Sequence, residues 1–66
     1  MFTLEYRNGT DGEYTEWYGL SDHESLEAAE AAMNTTPSGN GWKSQMRILD
    51  GEGRVVNFNG RRTPKQ

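Results

Sequence analysis

The chain contains no cysteine. Without thiols it can build neither a disulfide scaffold nor a cysteine-based zinc site, and oxidising or reducing surroundings leave it indifferent. It also has no apolar run approaching the roughly 18 residues of a membrane-spanning helix, and its mean hydropathy is −1.00. The opening Met1-Phe2-Thr3-Leu4-Glu5-Tyr6-Arg7 lacks the layout of a signal peptide. These absences predict a cytoplasmic protein, made as seen, with no membrane contact. At 66 residues there is room for one core, so a second domain is excluded.

Large apolar side chains are scarce as well. Setting aside four alanines and Met1, 16 remain to build a core. A domain of this size buries only roughly 60% of the surface its unfolded chain exposes, so its stability is marginal. With no thiols and no metal motif to staple it, self-association as a C2 homodimer is the remedy the composition leaves open.

The net charge of −3 conceals an asymmetry. Residues 1–30 carry eight acids against Arg7, a net of −7, whereas residues 31–66 carry six bases against two acids, a net of +4. If the halves interleave in one sheet, the signs neutralise across strands. If they segregate, one face is acidic and suits a basic partner.

Phe2, Leu4 and Tyr6 alternate with Thr3, Glu5 and Arg7, the period of a strand with one buried face. Asn8-Gly9-Thr10-Asp11-Gly12 then reverses the chain as a hairpin loop. Glu13 to Tyr18 reads as a second strand, and the pattern leaves its facing open: Tyr14, Glu16 and Tyr18 share one side, Glu13, Thr15 and Trp17 the other. Ser21 and Glu24 fit a capping box, with Asp22 as a rival cap, so the sequence predicts a helix from this point. Its apolar stripe is Leu26, Ala29 and Met33, and Asn34 can end it.

The segment 35–41 is a loop, after which Trp42 to Leu49 and Arg54 to Phe58 read as strands joined by Asp50-Gly51-Glu52-Gly53. The predicted fold is α+β: one four-stranded antiparallel sheet in ββαββ order, with the helix packed on one face. Residues 1–60 form the domain and 61–66, which have no apolar residue, a flexible basic tail. The alternation puts Thr3, Glu5, Arg7, Lys43, Gln45, Arg47, Val55 and Asn57 on the open face, with either Trp17 or Tyr14 and Tyr18.

Candidate chemistry is thin. His23 has Glu27 four residues on and Glu30 seven on, and the first pair could share a metal on one helix face, but a solvated helix flank is the better reading of an isolated two-ligand pattern. Ser21 and Ser25 near His23 are accounted for by capping. Gly39-Asn40-Gly41 and Gly51-Glu52-Gly53 are turns, since neither leads from a strand into a helix as a phosphate-binding loop must. No catalytic group, metal or cofactor is therefore expected.

Two surfaces survive. An acidic, aromatic one comprises Glu13, Glu16, Trp17 and Tyr18, with Glu24 and Glu27 steering; it predicts a non-enzymatic protein that binds a host or cellular protein. The alternative is single-stranded nucleic acid, bound through Lys43, Arg47, Arg54, Arg61 and Arg62 beside aromatics on the open face, against a pI of about 4.9. A structural homodimer that hides the open face is the third reading.

The segment Trp42-Lys43-Ser44-Gln45-Met46-Arg47-Ile48-Leu49-Asp50-Gly51-Glu52-Gly53-Arg54-Val55-Val56 resembles the terminal hairpin of many small bacteriophage and bacterial proteins, where a Trp, an Arg-Ile and a Gly-Arg-Val-Val recur. Such proteins often bind and inhibit a host protein, host defence systems included. The resemblance thus implies a phage-type regulator, and it carries over no functional residue.

Overall fold

The computed structural model describes residues 1–10, 13–36 and 44–63. In chain order the elements are β1 (Phe2–Arg7), β2 (Gly9–Thr10), β3 (Glu13–Tyr14), β4 (Tyr18–His23), α1 (Leu26–Thr35), β5 (Gln45–Leu49), β6 (Val55–Phe58) and β7 (Arg61–Arg62). Five of the strands form one sheet in the order β4-β1-β5-β6-β7, and β2 pairs with β3 in a separate two-stranded ladder. All pairings are antiparallel.

The alternation of β1 does what its period requires. Leu4 and Tyr6 are buried, and Leu4 stands directly opposite Ile48 of β5. Ala29 and Met33 come down from α1 to meet this pair, and all four side chains of the central cluster are at most 3% exposed. Phe2, Leu26, Ala32, Met46 and Val56 pack around them. The helix stripe Leu26, Ala29, Met33 thus faces the sheet as its spacing predicts.

The α+β class holds, but the sheet has five strands rather than four, and several boundaries differ from the expected ββαββ plan. The helix begins later than the Ser21–Glu24 capping box predicts. Residues Ser21 to His23 belong to β4, held by pairing with β1, and the cap is Ser25, whose Oγ accepts from the Ala28 N–H at 3.1 Å. A second serine four residues on satisfies the same backbone need, which frees Ser21 for the sheet.

The expected second strand, Glu13 to Tyr18, is broken. Asn8 grips Thr15 from both sides, its carbonyl accepting from the Thr15 N–H at 2.8 Å and its own N–H donating to Thr15 Oγ1 at 3.0 Å. Glu13–Tyr14 closes a short hairpin, residues 15–17 cross without strand pairing, and the chain rejoins the sheet at Tyr18. The facing of Trp17 is therefore not a matter of strand parity.

The third strand runs from Gln45, while Trp42 and Lys43 lie outside the described residues. In the fourth, a register shift at Ile48/Leu49 reverses the expected facing. Asn57 stands opposite Ile48 and is buried, and Phe58 stands opposite Arg47 on the open side. One bulged residue suffices, since strand side chains alternate with a period of two.

Arg61 and Arg62, placed with the tail by the sequence, form β7. Asn59 and Gly60, at φ 54° and 91°, supply the two positive dihedrals of a tight type I′ hairpin between β6 and β7. Residues 64–66 lie outside the described residues. No helix among the described residues is long and apolar enough to cross a membrane.

Candidate surface at the open face and sheet end

The side chains that carry chemistry gather where β1 ends and β4 begins. Glu5 and Arg7 of β1 point to the open face, opposite Arg47 and Gln45 of β5. Arg47 Nε donates to Glu5 Oε1 at 2.7 Å, and Arg7 Nε donates to Gln45 Oε1 at 2.7 Å. The segment 13–18 folds over these two cross-strand pairs. Trp17 lies against both guanidiniums, with Cζ of Arg47 at 4.2 Å and Cζ of Arg7 at 4.6 Å from its ring centroid. Tyr14 covers Arg7 at 4.3 Å, and Phe58 meets the indole edge-on at 6.1 Å. Aromatic and cationic side chains alternate here because a ring face is negative and a guanidinium is a flat, weakly hydrated cation.

Among the residues expected to contact a protein, Glu13 and Glu16 are exposed and adjoin this cluster. Trp17 is half-buried, and its contacts with Arg7, Arg47 and Phe58 make it an anchor for the segment more than a free contact. Tyr18, 46% exposed, packs at 5.5 Å against Tyr6 on the helix side of the same end. Glu24 and Glu27 are elsewhere. β4 runs from Tyr18, beside Tyr6, to His23, beside Phe2, so Glu24 follows the far end of a six-residue strand, roughly 15 Å or more from Tyr18. Glu27 lies 3.8 Å from Arg62 on the opposite edge strand. The structure thus divides the acidic set in two.

The nucleic-acid candidates are largely occupied. Arg47 is paired with Glu5, and Arg54 with Asp50 at 2.9 Å and Glu52 at 3.1 Å. Arg62 forms a two-pronged bridge to Glu30, with Nε to Oε2 at 2.9 Å and Nη2 to Oε1 at 2.8 Å. The same carboxylate accepts from Asn57 Nδ2 at 2.7 Å. These donors, Arg62 foremost and Asn57 after it, hold the Glu30 carboxyl at about 2, against burial that pushes it the other way. Asp50 is likewise lowered, chiefly by the backbone N–H of Arg54. Arg61 is exposed, and Lys43 lies outside the described residues.

By contrast, Glu13, Glu16, Asp22 and Glu24 have no ion-pair partner among the described residues. Asp22 accepts from Thr3 Oγ1, at 2.8 Å. The half-chain asymmetry survives folding in part: Arg47, Arg54 and Arg62 serve the chain's own acids, and the surplus acids face outward.

Ser21 Oγ and His23 Nε2 lie 2.7 Å apart on β4. Strand neighbours two apart share a face, and this contact needs no further cause. Among the described residues no acid orients the other ring nitrogen, and no group of three or more metal-ligating side chains forms.

Sequence reasoning left Trp17 either as a protein contact or as an aromatic beside Arg47 on the open face, and the two are in contact. It passed over Arg7 and Phe58 as site residues, and set Tyr14 on the open face only as the alternative to Trp17, whereas both rings lie against Arg7. The alternation of Glu5 with Arg7 opposite Gln45 and Arg47 was the available signal, but which ring closes over them depends on the crossing at residues 15–17. Comparison with family models, with curated proteins and with solved structures finds no match to this chain.

Proposed function

We propose that this protein is a non-catalytic binding module that engages another protein through the end of its sheet, with Glu13, Tyr14, Glu16 and Tyr18 as contacts. The observation that carries this reading is the fate of the charges. Arg47, Arg54 and Arg62 are spent on internal pairs, while Glu13 and Glu16 stand unpaired among the described residues beside two tyrosines, 43% and 46% exposed. Tyrosines supply contact area at low entropic cost, and unpaired acids around them steer and orient a partner with a basic surface. Trp17 holds the segment in place. The hairpin likeness of residues 42–56 to phage proteins points to a host protein as the partner and inhibition as the outcome.

Single-stranded nucleic acid is the second reading, favoured by the placement of Arg7 and Arg47 among Tyr14, Trp17 and Phe58 on the open face. The two readings respond oppositely to charge reversal. Affinity capture from cell extract, at low and high salt, with wild type and with Glu13→Lys/Glu16→Lys, separates them. The expected result is a stoichiometric protein held by wild type and lost by the variant. Nucleic acid recovered more strongly by the variant would overturn the protein-binding reading.

A further inference from the structure

The two guanidiniums under Trp17 are held but not saturated. Each uses its Nε on a neighbouring strand, Arg7 on Gln45 and Arg47 on Glu5, both at 2.7 Å. Their terminal nitrogens have no acceptor among the described residues. Arg7 is fixed further, its Cζ lying 4.3 Å from the ring centroid of Tyr14 and 4.6 Å from that of Trp17. A guanidinium held against two aromatic rings still offers its paired terminal N–H groups to a ligand, and these match the two oxygens of an oxyanion. Arg7 is half-buried and the Arg47 side chain 26% exposed, so the site is partly desolvated yet within reach.

We propose that the Arg7 guanidinium, braced by Gln45, Tyr14 and Trp17, is an oxyanion site that takes one carboxylate of the protein partner, from an acidic side chain or a C-terminus. This rests on the binding-module reading and adds the group recognised. The charge count decides between carboxylate and phosphate. Arg7, Arg47 and Glu5 together carry a net charge of +1, enough for a single monoanion. Exposed Glu13 and Glu16 adjoin Tyr14 and Trp17 in the chain, so a polyphosphate backbone would meet like charges. A lone carboxylate within an otherwise basic segment satisfies both the site and its acidic border.

The test is a titration of the ¹⁵N-labelled full chain with sodium acetate, followed at the Arg7 Nε–H and Trp17 indole N–H resonances, with sodium chloride at equal ionic strength as control. The expected result is a saturable shift with acetate and not chloride, weakened roughly tenfold or more in Arg7→Gln, the worth of one charge-assisted pair. Arg7→Lys keeps the charge and stem but not the fork; it is expected to fold, by its amide spectrum, and to bind as weakly as Arg7→Gln. Equal responses to acetate and chloride would overturn the site. Inorganic phosphate bound more tightly than acetate would overturn its assignment to a carboxylate. Capture of a partner without acetate binding would sink this inference alone, and acetate binding without any captured protein would sink the binding-module reading instead.

Discussion

The guanidinium of Arg47 lies 4.2 Å from the centroid of the Trp17 ring while its Nε donates to Glu5. One contact thereby ties the unpaired crossing at residues 15–17 to the middle of the sheet, and it takes a cation that would otherwise mark a basic face. Trp17 is thus a brace. Replacing it with alanine removes two cation–π contacts and the edge contact to Phe58, and is expected to cost about 1–3 kcal/mol. Thermal or urea unfolding of Trp17→Ala checks this, with Trp17→Phe recovering part of the loss. Unchanged stability would mean that the ring is a free contact after all.

Acid should weaken the fold through Glu30. Its carboxyl is held at about 2 against an ordinary 4.5, so the folded state favours the ionised form. The stabilisation is fully present above the unfolded value of 4.5 and is lost as pH falls from there towards 2. Asp50, also lowered, acts in the same direction. Melting temperature measured against pH should therefore decline over this window, and Glu30→Gln should flatten that decline while lowering stability near neutrality.

The hairpin that forms β7 depends on backbone rather than burial. Gly60, at φ 91°, occupies a conformation that an L side chain adopts only under strain, and a Cβ there meets open space. Gly60→Ala is expected to cost roughly 1–2 kcal/mol and to raise amide exchange at Arg61 and Arg62. The same substitution at Gly51, where no positive φ is required and the nearest atom to the added Cβ is 3.6 Å away, should change stability far less.

Those same particulars show which parts of the fold were legible. The alternation of β1 and the stripe Leu26, Ala29, Met33 were readable because each depends only on spacing within one element. The helix start was misplaced by four residues because Ser21 and Ser25 offer equivalent hydroxyls, and strand pairing chose between them. The exchange of Asn57 for Phe58 on the open face follows from a bulge, which leaves no mark in a hydrophobic pattern. β7 escaped notice for another reason: Asn59-Gly60 is a strong hairpin signal, but Arg61 and Arg62 have no apolar partner. What holds that strand is the Arg62–Glu30 bridge and the bond from the Thr63 N–H to the Val56 carbonyl at 3.1 Å. The candidate surface was half legible. Its acids and aromatics were named, but the separation of Glu24 and Glu27 from Glu13 and Glu16 needed the direction of β4.

The central claim is that the acids of the sheet end, Glu13 and Glu16, and not the basic edge at Arg61, steer the partner. It is tested most directly by measuring the affinity of the captured partner for Glu13→Lys/Glu16→Lys and for Arg61→Glu side by side, at fixed salt. The account predicts that the first variant slows association by roughly tenfold or more, as lost electrostatic steering should, and that the second binds as wild type does. Binding abolished by Arg61→Glu and untouched by the double glutamate variant would contradict it.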